Sequence, residues 1–469
     1  MLLILRLNVI SKTMKKNLAI YFAFLSLAFT FVSCSFSDTE EEVLSPYAML
    51  KSFGLDNIRS AYPEFTSTGK DTLVYKTVSM ESFAFTIDHG AGEVYNNDSL
   101  PYCTDIRKVV VNYTSDGVAS IYVDSLETYE YLSNTDSIDF TSPRKVRVYS
   151  GDAEYYKDYT VRVNVHQVNP ELMVWNKYPA VDAVVPERAI EADGVMYLFG
   201  KNSEGIATVA STDVEGTPEW STVAIDGLPA DADLATIQLF RGALYAVAGG
   251  DVYTSLNGAD WTVAATATGA VAIVGASDED GKIWIAGDNG ILSSEDGVTF
   301  VVNGTLPEGF PLYGVSLSSY PMAHNKGIIR YMLVGYATAD KAGEAVVWSR
   351  LSTESRWTKY SNEGSSYTCP SLSGLSVIRY DGFLYALGGA GTVNGSAVEA
   401  FKSFYVSKDN GIVWKISTGY YQRLPKELVG NNAPFAVAVD SDNFIWIVNS
   451  GADGGVWKGI LNRLGFEKR

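Results

Sequence analysis

A turn followed by an apolar strand recurs six times in the C-terminal part of this chain, and no other feature constrains its fold as tightly. The copies are ADGVMYLFGK from Ala192, RGALYAVAGG from Arg241, EDGKIWIAGDNG from Glu279, GIIRYMLVGY from Gly327, YDGFLYALGGAG from Tyr380 and SDNFIWIVNSG from Ser441. A second element, a turn that ends in an aromatic residue, follows the first five copies, at Trp220, Trp261, Phe300, Trp357 and Trp414. Repeated units of this kind bury their apolar faces by stacking on one another. The sixth copy has no aromatic strand after it, because the chain runs out in GGVWKGILNRLGF from Gly454. An unmatched aromatic strand, LMVWNKY at 172–178, precedes the first copy. Joining the two closes a ring in which the last blade takes three strands from the C-terminus and one from 172–178, a closure that leaves no open sheet edge. The expectation is a six-bladed β-propeller over 170–469, at roughly 49 residues per blade.

Ser407, Asp409, Gly411 and Trp414 fall in the pattern S-x-D-x-G-x-x-W of an Asp-box, with shorter, degenerate copies at 255–261 and 294–300. The Ser and Asp side chains bond to the turn backbone, Gly permits positive φ, and the aromatic packs between blades, so the expected role is structural.

All nine Trp lie between Trp175 and Trp457. A break that sharp places a domain boundary near Asn169-Pro170. Before it, SFAFTIDH, KVVVNYT, ASIYVDS, KVRVYS and DYTVRVNVHQV alternate apolar and polar residues, the signature of half-buried strands. An antiparallel Ig-like β-sandwich is expected over 71–169, and a polar tether or short lead-in helix over 34–70. The whole chain is therefore expected to be all-β.

The first 34 residues hold Arg6, Lys12, Lys15 and Lys16 and no acid, and Lys15-Lys16 precedes the apolar run Leu18 to Val32. That run is short for a membrane span and has the layout of a secretory signal over 1–33, with Met14 an alternative start. Phe31-Val32-Ser33-Cys34 is similar to a bacterial lipobox, which makes Cys34 the expected lipidated residue of the mature chain and the membrane a partner through its acyl chains. The following SFSDTEEE resembles the acidic signal that sends Bacteroidota lipoproteins to the outer face of the outer membrane. The alternatives are a solvated linker and the periplasmic face.

The charge is −18, from 36 basic and 54 acidic residues. Nucleic acid is excluded as a partner by that balance, and an anionic lipid surface is disfavoured. Cys103 and Cys369 fall in different domains and are expected as separate, half-buried thiols. His89, His166 and His324 are too scattered for a metal site. Gly249-Gly250 and Gly388-Gly389 are turn glycines, not a phosphate cradle. The acids at 278–280 and 231–233 lack a calcium-loop pattern and read as solvated turns. No metal or cofactor is expected.

Catalysis of the sialidase type needs three converging Arg, a Tyr-Glu pair and an Asp. Of the propeller arginines, Arg188 has the most suggestive position, ahead of Asp193-Gly194, but Pro186 stands on the wrong side of it for the usual strand motif. Its expected place is a rim or edge salt bridge, with a pocket position the alternative, and Arg330 is expected to point out of its blade. No catalytic residue is assigned. Long loops at 303–312, 360–371 and 418–434 bring Phe310, Tyr367, Tyr420 and Tyr421 toward one face, as candidates to stack on sugar rings or as ordinary loop anchors.

Val94-Tyr95-Asn96-Asn97-Asp98-Ser99-Leu100-Pro101 and Thr104-Asp105-Ile106, followed by a kelch-like YDGFLYALGG, resemble the Bacteroidota surface lipoproteins of domain-of-unknown-function family 6242. The resemblance implies the same two-domain architecture and location, and it carries no activity and no catalytic residues. The resulting expectation is a surface lipoprotein with a non-catalytic propeller that binds a glycan or protein. The alternatives are a sialidase-like or other glycan-active hydrolase, and a structural or adhesive envelope component.

Overall fold

A computed structural model describes residues 46–65, 71–341, 343–361, 366–417, 422–450 and 454–465. Cys34, Tyr420, Tyr421 and the leader lie outside them. Apart from short 3-10 turns, the regular structure described is strand, and among the described residues no helix is long and apolar enough to cross a membrane. The 64–72 hairpin tip aside, the chain divides into two compact units between His166 and Gln167.

The first unit packs a three-stranded sheet (Leu50–Leu55, Val109–Ser115, Ser137–Ile138) and a six-stranded sheet around one core, with a hairpin of Ile58–Phe65 and Asp71–Val78. Alternation does the sorting: Val146 and Val148 of Arg144–Tyr149 point inward, while their neighbours in the strand are less buried. Two expectations are corrected. The tether was expected to run to residue 70, but strand structure starts at Leu50, because Leu50, Phe53, Leu55 and Ile58 supply an apolar face that the core buries. The six-stranded sheet is also not wholly antiparallel: Thr160–Arg162 pairs in parallel with Glu93–Tyr95. The long intervening chain allows that pairing, which a hairpin cannot make.

The second unit is a series of antiparallel meanders. Four-stranded sheets span 185–224 (Val185–Ala192, Val195–Lys201, Ala207–Asp213, Ser221–Ala224), 313–359 and 376–416. Between the first two lies a seven-stranded sheet in which the 16-residue strand Thr262–Ser277 pairs with Gly250–Ser255 on one side and Lys282–Gly287 on the other. The separate meanders expected there are fused by this one long strand, which turns its corner through bulges and at Gly269, whose φ is 64°. The last sheet combines Phe435–Val439, Ile445–Asn449 and Gly455–Leu461 with Met173–Tyr178, in a register running from Met173 opposite Leu461 to Tyr178 opposite Val456.

The second strand of each meander reads as a continuous apolar run, as in IWIVN and KIWIAG, because sheets pack on both of its faces. Each core cluster joins two sheet neighbours. Met196 and Leu198 meet Trp446 and Val456 of the last sheet, whereas Phe199 and Val209, on the other face, meet Ala246 and Trp261. The first and last sheets are thus packed together, as consecutive sheets are.

Candidate functional site

The inner strands of the second unit surround a cavity of about 370 Å³. Its wall mixes small apolar and polar side chains, with Ala189, Ala276, Val315, Ser376 and Val437 contributed by different strands and Ser316 beside Val315. Charge enters chiefly at Val185–Ala192. Pro186 has no amide to give the ladder, and the register slips between Pro186 and Arg188, so Glu187 becomes the extra residue of a bulge. The bulge places Glu187 and Arg188 together in the cavity wall.

This corrects the rim position expected for Arg188. The residue is half-exposed by surface area because water can enter the cavity, yet its guanidinium is walled by protein, and burial lowers its pKa to about 10. Nη2 donates to Gln238 Oε1 at 3.2 Å, while Nε is buried without a partner. Among the described residues no salt bridge to a carboxylate compensates the charge. Burial likewise raises the Glu187 carboxyl above its usual range, with Lys201 opposing, Asp233 adding to the shift and Lys341 opposing. Of the other charged groups in the wall, Glu191 accepts from the amide of Gly194, Arg379 donates to Ser319 O at 3.0 Å with its guanidinium over the Tyr320 ring, and Lys341 is exposed. Arg330 contacts Tyr360 and Met322, away from the cavity. Among the described residues the wall therefore holds two arginines, one of them already bound, and no tyrosine.

The loop aromatics fare differently. Phe310 is buried against Trp348 and Trp357, with ring centroids 5.4 and 5.6 Å away. It is a loop anchor inside the core between two sheets, so it presents no face to a sugar. Tyr367 is exposed, but its carbonyl accepts from the Trp414 amide and Lys415 lies over its ring. Lys415–Ile416 is an outermost strand, which places Tyr367 at the periphery and not beside the central opening.

The acidic turns are committed to structure. Asp280 accepts from Ser277 and Tyr331, and Asp233 caps a short turn by accepting from the Ala235 amide. Cys103 is half-buried, whereas Cys369 is fully buried, which pushes its thiol up, and both are free. In the turn at 407–414, Ser407 Oγ donates to Asp409 Oδ1, the Gly411 amide donates to Ser407 Oγ at 2.7 Å, and Trp414 Nε1 donates to Gly411 O at 3.0 Å. The same network recurs at Ser294-Asp296-Gly297. Each of these turn glycines presses on the preceding meander: a Cβ on Gly411 would sit 3.0 Å from Met332, and one on Gly297 2.1 Å from Tyr245 Oη.

Residues 169–469 match the DUF6242 beta propeller domain and residues 56–163 the DUF6242 N-terminal domain. The chain belongs to the DUF6242 family. The series of meanders is accordingly a β-propeller domain in an all-β protein, and its cavity is formed by the propeller's inner strands. Curated proteins gave no match. Solved structures similar to it include a Trichoderma reesei protein of Carbohydrate-Active Enzymes Family AA12, at 9% identity over 63% of this chain and 99% of that one, TM-score 0.38. The GH93 alpha-L-arabinofuranosidase of Fusarium graminearum is 11% identical over 62% and 97%, TM-score 0.34. The GH74 xyloglucanase from Xanthomonas campestris is 13% identical over 70% and 51%, TM-score 0.33. Likenesses this remote transfer no activity to the DUF6242 chain.

The bulge that places Arg188 was visible as Val-Pro-Glu-Arg at the start of an inner strand. A Pro inside a strand pattern signals an irregular ladder.

Proposed function

We propose that this DUF6242 protein is a cell-surface lipoprotein, anchored through Cys34 to the outer membrane, whose Ig-like first unit carries a six-bladed propeller that binds a glycan without cleaving it. The observation that carries the binding reading is the cavity: walls of small apolar and polar side chains with one enclosed, incompletely satisfied guanidinium, and no tyrosine beside it among the described residues. Such a wall can orient a ligand, and among the described residues it lacks the tyrosine that a sialidase-type nucleophile needs. The six-blade count is supported by the six core clusters of the second unit, each shared by neighbouring meanders, if Thr262–Ser277 serves as outer strand of one blade and inner strand of the next. The anchor and the surface location rest on the sequence at 15–42 alone.

The test is an array of host and plant glycans probed with the full chain in detergent, following both retention and the release of reducing ends. Retention without release is the expected result. Release would overturn the non-catalytic reading, and failure to retain any glycan would move the reading to a protein partner. Separately, metabolic acyl labelling that survives Cys34→Ser would remove the anchor.

A further inference from the structure

A buried cation without a counter-ion is costly, and folded proteins rarely keep one without a use. Arg188 is such a cation. Its guanidinium presents a fork of donors, of which Nη2 meets only the neutral side chain of Gln238 and Nε meets nothing. The adjacent Glu187 does not form a salt bridge with it, and burial favours the neutral form of that carboxyl. Arg379, the other guanidinium in the wall, is held by Ser319 O and the Tyr320 ring. The cavity thus holds one enclosed, incompletely satisfied guanidinium, with the exposed Lys341 as a further cation in its wall, in a space of about 370 Å³, near the lower end of small-ligand sites and suited to one or two sugar rings.

From the incompletely partnered Arg188 in this cavity we infer that the DUF6242 propeller takes an acidic sugar, whose carboxylate Arg188 receives. The planar guanidinium suits a planar carboxylate through paired, charge-assisted hydrogen bonds. The apolar wall of Ala189, Val315 and Val437 then packs against the faces of the ring. This inference rests on the glycan-binding reading and narrows its ligand class.

The experiment is calorimetric titration of the full chain in detergent with glucuronate, galacturonate and N-acetylneuraminate, each beside its neutral amide, and with a short oligogalacturonate. At least one acid is expected to bind at millimolar concentration or below, at least tenfold tighter than its amide. Arg188→Gln is expected to lose that preference, with Arg188→Lys keeping part of it. Tighter binding of the oligomer than of free galacturonate would assign the ligand to a polysaccharide, and equal binding to a free sugar acid; both support the carboxylate site. Equal affinity for acid and amide, binding of none of the acids, or wild-type binding by a folded Arg188→Gln overturns it. If Arg188→Gln fails to fold, Lys341→Gln decides: an acid preference that it leaves unchanged supports Arg188, and one that it abolishes overturns the assignment. Retention of neutral glycans only on the array would sink this inference while leaving the binding reading intact. Retention of no glycan would sink both.

Discussion

Arg188 reaches across from its bulged strand to the side chain of Gln238, on the first strand of the following sheet, at 3.2 Å, while the rest of its guanidinium lacks a counter-charge. In the absence of ligand this arrangement opposes folding, since desolvation of the cation is not repaid by a carboxylate. Arg188→Met is therefore expected to stabilise the free protein, on the order of 1 kcal/mol. Equilibrium denaturation of the two proteins side by side checks the sign.

Glu187 gives a pH-dependent counterpart. Its pKa is raised on folding, so its favourable contribution is complete below the ordinary carboxylate range and is lost as pH rises through the folded value. Glu187→Gln should melt higher than wild type at pH 7, and the gap should close as the pH is taken below 4.5, the ordinary value for the group. A gap that stays constant with pH would mean that packing, not ionisation, sets the difference.

Two turn glycines separate conformational strain from close approach. Gly216 and Gly297 have φ of 73° and 74°, but a Cβ at Gly216 meets open space whereas one at Gly297 would run into Tyr245 Oη. Gly216→Ala should cost about 1 kcal/mol, the penalty for left-handed backbone alone. Gly297→Ala should cost about 2–4 kcal/mol, because the buried ring of Tyr245 must also move. Similar losses for both variants would show that Gly297 does not press on its neighbour.

Lys458 and Asp440 form a buried pair in the last sheet, 3.7 Å apart, and Lys458 also donates to Val214 O of the first sheet. Lys458→Ala should destabilise the propeller by about 3–5 kcal/mol, since Asp440 is left charged and enclosed. Asp440 keeps the indole N–H of Trp446 and the amides of Asp442 and Phe444, which argues for the lower end. A denaturant titration reporting less than about 1 kcal/mol would contradict the buried-pair account.

Phe310→Ala should cost about 3–5 kcal/mol and leave the affinity of any retained glycan unchanged, because the ring fills the space between Trp348 and Trp357. Lost affinity in a protein of normal stability would restore Phe310 to the ligand face.

The meanders were legible because each repeats a local pattern, a turn (with positive φ in five of the six copies) and then a run too apolar for a one-sided strand. The pairing of Met173–Tyr178 with Gly455–Leu461 was legible for a different reason: one aromatic strand was missing at the end and one was spare at the start. Gly459 completes that pairing, since a Cβ there would sit 2.3 Å from the Trp175 ring. Side-chain direction was not legible. Phe310 and Tyr367 occupy similar long loops, yet one ring is drawn into the core by two tryptophans distant in sequence and the other remains outside. Arg188 was misplaced because one bulged residue changes which side chains an inner strand turns toward the cavity, and a repeat pattern does not report a one-residue slip.

The central claim, that the propeller binds through its central cavity, is tested most directly by comparing Ser376→Trp with Tyr367→Ala for retention of whichever glycan the array identifies. Ser376 lies in the cavity wall and Tyr367 on the outer periphery. A tryptophan at 376 is expected to abolish retention in a protein that still melts cooperatively, while Tyr367→Ala retains the glycan as wild type does. Full retention by a folded Ser376→Trp, with loss in Tyr367→Ala, would contradict the account and move the site to the rim.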